Sequence, residues 1–133
     1  MRRLWFLFFA VAATVSCSKP EADSKTWTLA TGVSLVEANE CVNSTQQSMA
    51  VKKISADYLI TAQSFFSCGT EISRPYLTLE KDGRATLVIN SPRTGSNCEC
   101  NRAVTVKVVG RLEPKNTLYV LTNEEVLGHA VLP

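Results

Sequence analysis

Four cysteines, Cys41, Cys68, Cys98 and Cys100, are the side chains whose type and spacing best suit them to chemistry. Residues two apart in an extended chain point to the same side, so Cys98-Glu99-Cys100 directs both sulfurs into one region of the fold. A bond between these two would close a very small, strained ring. Each is therefore expected to reach a distant partner. Two pairings are open: Cys41 with Cys98 and Cys68 with Cys100, or Cys41 with Cys100 and Cys68 with Cys98. Either closes loops of tens of residues, worth about 3–4 kcal/mol each in the loop-entropy picture. That is a large share of the roughly 5–15 kcal/mol that holds a domain together.

The same four side chains could instead form a tetrahedral all-thiolate zinc site. Zinc ribbons use paired C-x-x-C knuckles, whereas Cys41 and Cys68 stand alone. A catalytic dithiol usually sits at a helix start, where the dipole lowers the thiol pKa; this Cys-x-Cys precedes a strand-like run. Structural staples are expected, with no metal site and no cofactor. His129 is the only histidine and lies between Gly128 and Ala130, in a strand-like segment. A hydrolytic triad needs a histidine held by an acid and facing a nucleophile, and no nucleophile-elbow motif singles out a serine. Asp57, Glu71, Glu80 and Asp82 show no motif spacing, and Glu124-Glu125 reads as a solvated turn. There is no Gly-rich phosphate loop. No catalytic residue is assigned.

The fifth cysteine, Cys17, belongs to a different context. Met1-Arg2-Arg3 is followed by an unbroken apolar run over residues 4–13. That is the layout of a secretory signal, and the run is short of the roughly 20 residues a spanning helix needs. Thr14-Val15-Ser16-Cys17 resembles the lipobox of bacterial lipoproteins, with Thr14 where that family usually has an aliphatic residue. The resemblance covers this segment alone. It implies cleavage after Ser16, lipid on Cys17 (palmitate-class acyl chains) and membrane attachment through that lipid. Ser18, in place of an aspartate, points to the periplasmic face of the outer membrane; the inner membrane and the cell surface are the other placements. Cysteine parity agrees, because giving Cys17 to lipid leaves an even four for disulfides in an oxidising compartment. The Asn43-Ser44-Thr45 sequon has no use in such a cell.

Removing residues 1–16 from 133 leaves 117, one domain's worth of chain. Fourteen basic residues less Arg2 and Arg3 make twelve, against twelve acidic ones, so the mature chain is close to neutral. Lys52-Lys53 is its one adjacent basic pair. Nucleic-acid binding, which runs on clustered cations, is excluded.

Residues 17–25 read as the lipidated cysteine and a polar tether, and residues 26–133 as one β domain. Trp27, Leu29, Val33 and Leu35 lie at near-alternating positions. Ser34 with Glu37 has the form of a capping box for one short helix near Leu35 to Val42. A strand is expected over Lys53 to Gln63, running on toward Phe65, Phe66 and Cys68. The clearest local signal is Asp82-Gly83 between two alternating runs, a hairpin in which both central residues take positive φ. It places Leu77, Leu79, Ala85, Leu87 and Ile89 on one buried face. Further strands are expected at Arg102 to Leu112, Thr117 to Thr122 and Val126 to Leu132. The fold class is all-β: a small disulfide-stapled sandwich or partly open barrel of about seven short strands.

These features point to a non-enzymatic envelope module that binds a protein partner or serves a larger complex, an inhibitor or immunity protein being one version. The alternatives are a small carboxylate-dependent hydrolase, and a small-ligand carrier whose cavity is lined by Phe65, Phe66 and Tyr76.

Overall fold

The computed structural model describes residues 24–27, 32–92 and 98–133. The signal segment, Cys17, the first part of the tether and Leu29 lie outside the described residues. The described chain forms nine strands and no helix: β1 (Ser24–Trp27), β2 (Val33–Ala38), β3 (Ser48–Ile54), β4 (Asp57–Ser67), β5 (Tyr76–Glu80), β6 (Arg84–Ile89), β7 (Glu99–Val109), β8 (Thr117–Thr122) and β9 (Glu125–Val131). They make two open sheets, one ordered β1-β5-β6-β8-β9 and one ordered β2-β7-β4-β3. Every pairing is antiparallel except β6 with β8, which are linked through β7 in the opposite sheet.

Alternation along the strands explains why these sheets stack. In β4, Tyr58, Ile60, Ala62, Ser64 and Phe66 are buried, while the residues between them are partly open. β7 contributes Val104, Val106 and Val108, β6 contributes Ala85, Leu87 and Ile89, and β8 contributes Leu118 and Val120, all fully buried. A period of two puts one set of side chains on the inner face, and the two inner faces form a single apolar layer. The Tyr58 hydroxyl donates to the Pro133 carbonyl at 2.9 Å, tying the end of the chain to the middle sheet strand.

Several expectations are corrected. The segment expected as a helix is β2, paired with β7 and carrying a bulge between Leu35 and Glu37. Val33, fully buried opposite Val108, gains more from the sheet than an isolated capping box could return. The expected strand from Lys53 divides into β3 and β4 at Ser55-Ala56, where Ser55 adopts φ 58° without a glycine to mark the turn. β1 takes in Ser24 and Lys25, assigned above to the tether. The β5–β6 hairpin forms with Leu77, Ala85, Leu87 and Ile89 buried and Leu79 partly so. Its turn, however, has positive φ at Gly83 and not at Asp82, and the Gly83 amide returns to the Glu80 carbonyl. That is the three-residue form with glycine in the left-handed position. The two-residue turn with both φ values positive is Asn123-Glu124, between β8 and β9.

Candidate functional site at the stapled end and the outer face

The end of β4 and the start of β7 pair through Ser67 and Glu99, and the Cys68 amide bonds the Cys98 carbonyl at 3.0 Å. Disulfides join Cys41 to Cys100 and Cys68 to Cys98, each with Cα atoms 5.4 Å apart. This is the second of the two open pairings. The sulfurs of Cys41, Cys68 and Cys100 lie within 4.8 Å of one another, so the cysteines do face one region. Oxidised, they offer no thiolate, the form that both metal binding and nucleophilic attack require.

Around the staples runs a polar lattice that holds the loops. Arg102 donates from Nε to the Asn39 carbonyl and from Nη1 to the Thr70 carbonyl, both at 2.9 Å. Asn101, 1% exposed, donates to the Gln46 carbonyl at 2.7 Å and accepts from Gln63 at 3.0 Å. Asn123 accepts from the Ser91 amide at 2.9 Å and donates to the Phe65 carbonyl at 3.1 Å. Ser91 Oγ in turn accepts from the Ser67 amide at 2.9 Å. These bonds satisfy backbone groups that irregular chain would otherwise leave buried and unpaired. Apart from Phe65, none of these residues was singled out from sequence. The available signal was a polar residue at an inward strand position, as at Ser64 and Thr122.

The named carboxylates do not gather into one site. Asp57 meets Lys107 at 3.8 Å, Glu80 and Asp82 both contact Arg84 on the hairpin, and Glu71 is exposed elsewhere. The glutamates that do share a cleft are Glu99 and Glu125, facing Gln47, Ser64 and Thr122 across about 150 Å³. His129 is exposed and stacks on Tyr119, ring centroids 5.3 Å apart. Phe66 is fully buried in the core, and Tyr76 is 39% exposed, so these two do not line one cavity.

Comparison with protein-family models, with curated proteins and with solved structures finds no match.

The outer face of the five-stranded sheet is more apolar than strand alternation in a solvated sheet requires. Its register aligns Tyr76 with Val88, Val88 with Leu121 and Leu121 with Val126. The neighbouring row places Tyr119 beside His129. Tyr76 and Val126 remain 39% and 64% exposed at either end of the first row.

Proposed function

We propose that this chain is a lipid-anchored envelope lipoprotein whose β domain is a non-enzymatic protein-binding module. The observation that carries this reading is the apolar row Tyr76–Val88–Leu121–Val126, crossing a sheet face turned away from the core. An exposed tyrosine on a rigid face is a usual anchor of protein interfaces, and the aliphatic neighbours in its row exclude water around it; two staples hold this scaffold in one shape. β1, which follows the tether, lies at the edge of this sheet farthest from β9. A lipid on Cys17 would therefore leave the β9 side of the face directed away from its own attachment.

The Glu99–Glu125 cleft supports a second reading, a small carboxylate hydrolase. At about 150 Å³ it is smaller than the roughly 300–1,000 Å³ typical of small-molecule sites. Protein binding is the better-supported function.

The test is made on the full-length chain in the envelope. A photoreactive residue in place of Tyr76 is expected to yield one discrete protein adduct, and the same residue in place of Thr105, on the other sheet, none. Acyl labelling is expected on the wild type and lost in Cys17→Ser. Absence of any adduct from Tyr76, together with turnover of a glycoside or ester that depends on Glu99 and Glu125, would replace this reading with the hydrolase.

A further inference from the structure

Both sheets end together where the tether enters. Ser24 opens β1 opposite Glu80, beside the β5–β6 turn. Thr117 opens β8 next to that turn, its amide on the Gly83 carbonyl, and Val131 closes β9 opposite Thr117. Tyr58 brings in the other sheet: its hydroxyl reaches Pro133, and it pairs with Lys53 of β3 and Val108 of β7. Cys17 and Ser24 are seven residues apart, at most about 25 Å of chain. A lipid on Cys17 holds this end nearest the bilayer.

Exposed apolar side chains stand at this end on both outer faces. Ile54 pairs with Asp57 and Asp57 with Val109, so the last row of the four-stranded sheet carries two apolar groups, each 44% exposed. In the last row of the other sheet Val131 is 66% exposed. A recess of about 440 Å³ opens at the same end, with Lys53, Ala56, Tyr58, Leu112 and Pro114 in its lining.

Charge divides along the strands in the same sense. In the loops and the last three residues of β3 to β9 at the tether end, Lys52, Lys53, Lys81, Arg111 and Lys115 are exposed. Two further cations are paired there, Arg84 with Glu80 and Asp82, and Lys107 with Asp57. Glu113 and the Pro133 carboxylate complete the acids, so seven cations face five anions and leave +2. Among the described residues the stapled end carries Glu40, Glu71, Glu99, Glu124 and Glu125 against Arg74 and Arg102, five less two, or −3. The eleven residues of β4 set the two ends roughly 35 Å apart, far beyond the ~8 Å Debye length at physiological salt.

We infer that the tether end docks on an anionic phospholipid surface, with the strands upright and their last rows seated among the headgroups. A protein partner lies against one face of a sandwich. A headgroup layer surrounds the end, and covers Ile54, Val109 and Val131 together. Interfacial apolar groups sink about 5–10 Å into such a layer, the depth of two or three strand residues. The lysines then meet lipid phosphates, whereas the inverted orientation would press the acidic stapled end on the same surface. A weak contact suffices, because docking is intramolecular once the anchor is inserted. The inference rests on the lipid anchor proposed above and adds the orientation it imposes. The Tyr76–Val88–Leu121–Val126 row, beside the starts of β5 and β9, is left at the far end and open to a protein.

The test uses the full-length chain, extracted with its anchor and returned to vesicles of phosphatidylcholine with or without phosphatidylglycerol. A fluorescent residue replaces Ile54, Val131 or Val126 in turn, and a nitroxide-labelled headgroup quenches whatever enters the headgroup layer. On anionic vesicles the Ile54 and Val131 reporters are expected to be quenched at least roughly threefold more than the Val126 reporter. Omitting phosphatidylglycerol, or Lys53→Glu with Lys115→Glu, is expected to lower the docked population at least roughly fivefold. Equal quenching at all three positions, quenching of Ile54 without Val131, or indifference to lipid charge would each overturn the inference. In cells a photoreactive residue in place of Ile54 is expected to capture phospholipid; an adduct to a protein, a second copy of this chain included, would overturn it too. Acyl labelling reports separately on the anchor. An unlabelled chain that keeps the reporter contrast would sink the lipoprotein reading and leave the docking end standing, and a labelled chain without the contrast would do the reverse.

Discussion

Ser64 Oγ and Thr122 Oγ1 share a hydrogen bond of 2.9 Å between the two sheets, at 2% and 5% exposure. They occupy inward positions that the alternation of β4 and β8 would otherwise fill with apolar groups, and Gln47 Nε2 also donates to Ser64 at 3.2 Å. The bond marks where the apolar layer ends and the polar lattice of the stapled end begins. Ser64→Ala is expected to cost about 1–3 kcal/mol, because Thr122 is left buried with an unpaired hydroxyl. Thr122→Val should cost less, since Ser64 keeps Gln47. The double variant should fall well short of the sum, a coupling that urea unfolding of all four forms reads directly. Strict additivity would show that the two hydroxyls do not act as a pair.

The staples are nested, with the 30-residue separation of Cys68–Cys98 inside the 59-residue separation of Cys41–Cys100. With the inner bridge closed, the outer one constrains only the remainder, 59 − 30 = 29. Converting Cys41 and Cys100 together to Ser is expected to lower unfolding free energy by about 3–4 kcal/mol. Removing both bridges should leave little of the net stability of a domain this size. A urea midpoint unchanged by the Cys41/Cys100 pair would mean that the hydrogen bonds of residues 39–47 to Asn101, Arg102, Ala103 and Ser64 hold that loop without the bridge.

What was legible in the sequence follows from period and parity. Val104, Val106 and Val108, and the run of Leu77 with Leu87 and Ile89, announce their faces because a period of two has no other use. The even count of interior cysteines announced two staples, though only the folded chain brings Cys41 to Cys100. The turns were less readable. Ser55, Asn123 and Glu124 hold left-handed backbone without a glycine to announce it. Asn123 is fixed by Ser91 and Phe65. β2 was misread because Ser34 and Glu37 have the spacing of a cap, while its strand pairing depends on β7, about 70 residues away. The polar lattice is a tertiary fact with no local signature.

At the β5–β6 turn the Asp82 carboxyl is held below its ordinary 3.8, first by the Arg84 backbone N–H and then by the Arg84 guanidinium. A depressed carboxyl stabilises the fold above its unfolded pKa, and that stability is lost as pH falls through the folded value. The window therefore opens near 3.8 and extends downward. Arg84→Gln keeps the backbone donor, so the Asp82 midpoint, followed by NMR, should rise only part of the way back. Full return to the ordinary value would assign the shift to the guanidinium instead.

Two turn residues should respond to substitution with opposite signs. Gly32 sits at φ 104°, and a Cβ there would lie 3.0 Å from the Val109 carbonyl oxygen, while that residue's amide bonds Gly32 itself. Neither backbone can give way without losing the β2–β7 start. Gly32→Ala is expected to cost more than about 1 kcal/mol. Glu124, at φ 69°, is a branched-free but bulky side chain in the left-handed region that glycine adopts freely. Relief of that strain is partly offset by the greater freedom of glycine in the unfolded chain. Glu124→Gly should therefore stabilise the fold by about 0.5–1 kcal/mol. Thermal and urea melts of both variants decide it. A destabilised Glu124→Gly would mean that the side chain makes a contact worth more than the backbone strain it carries.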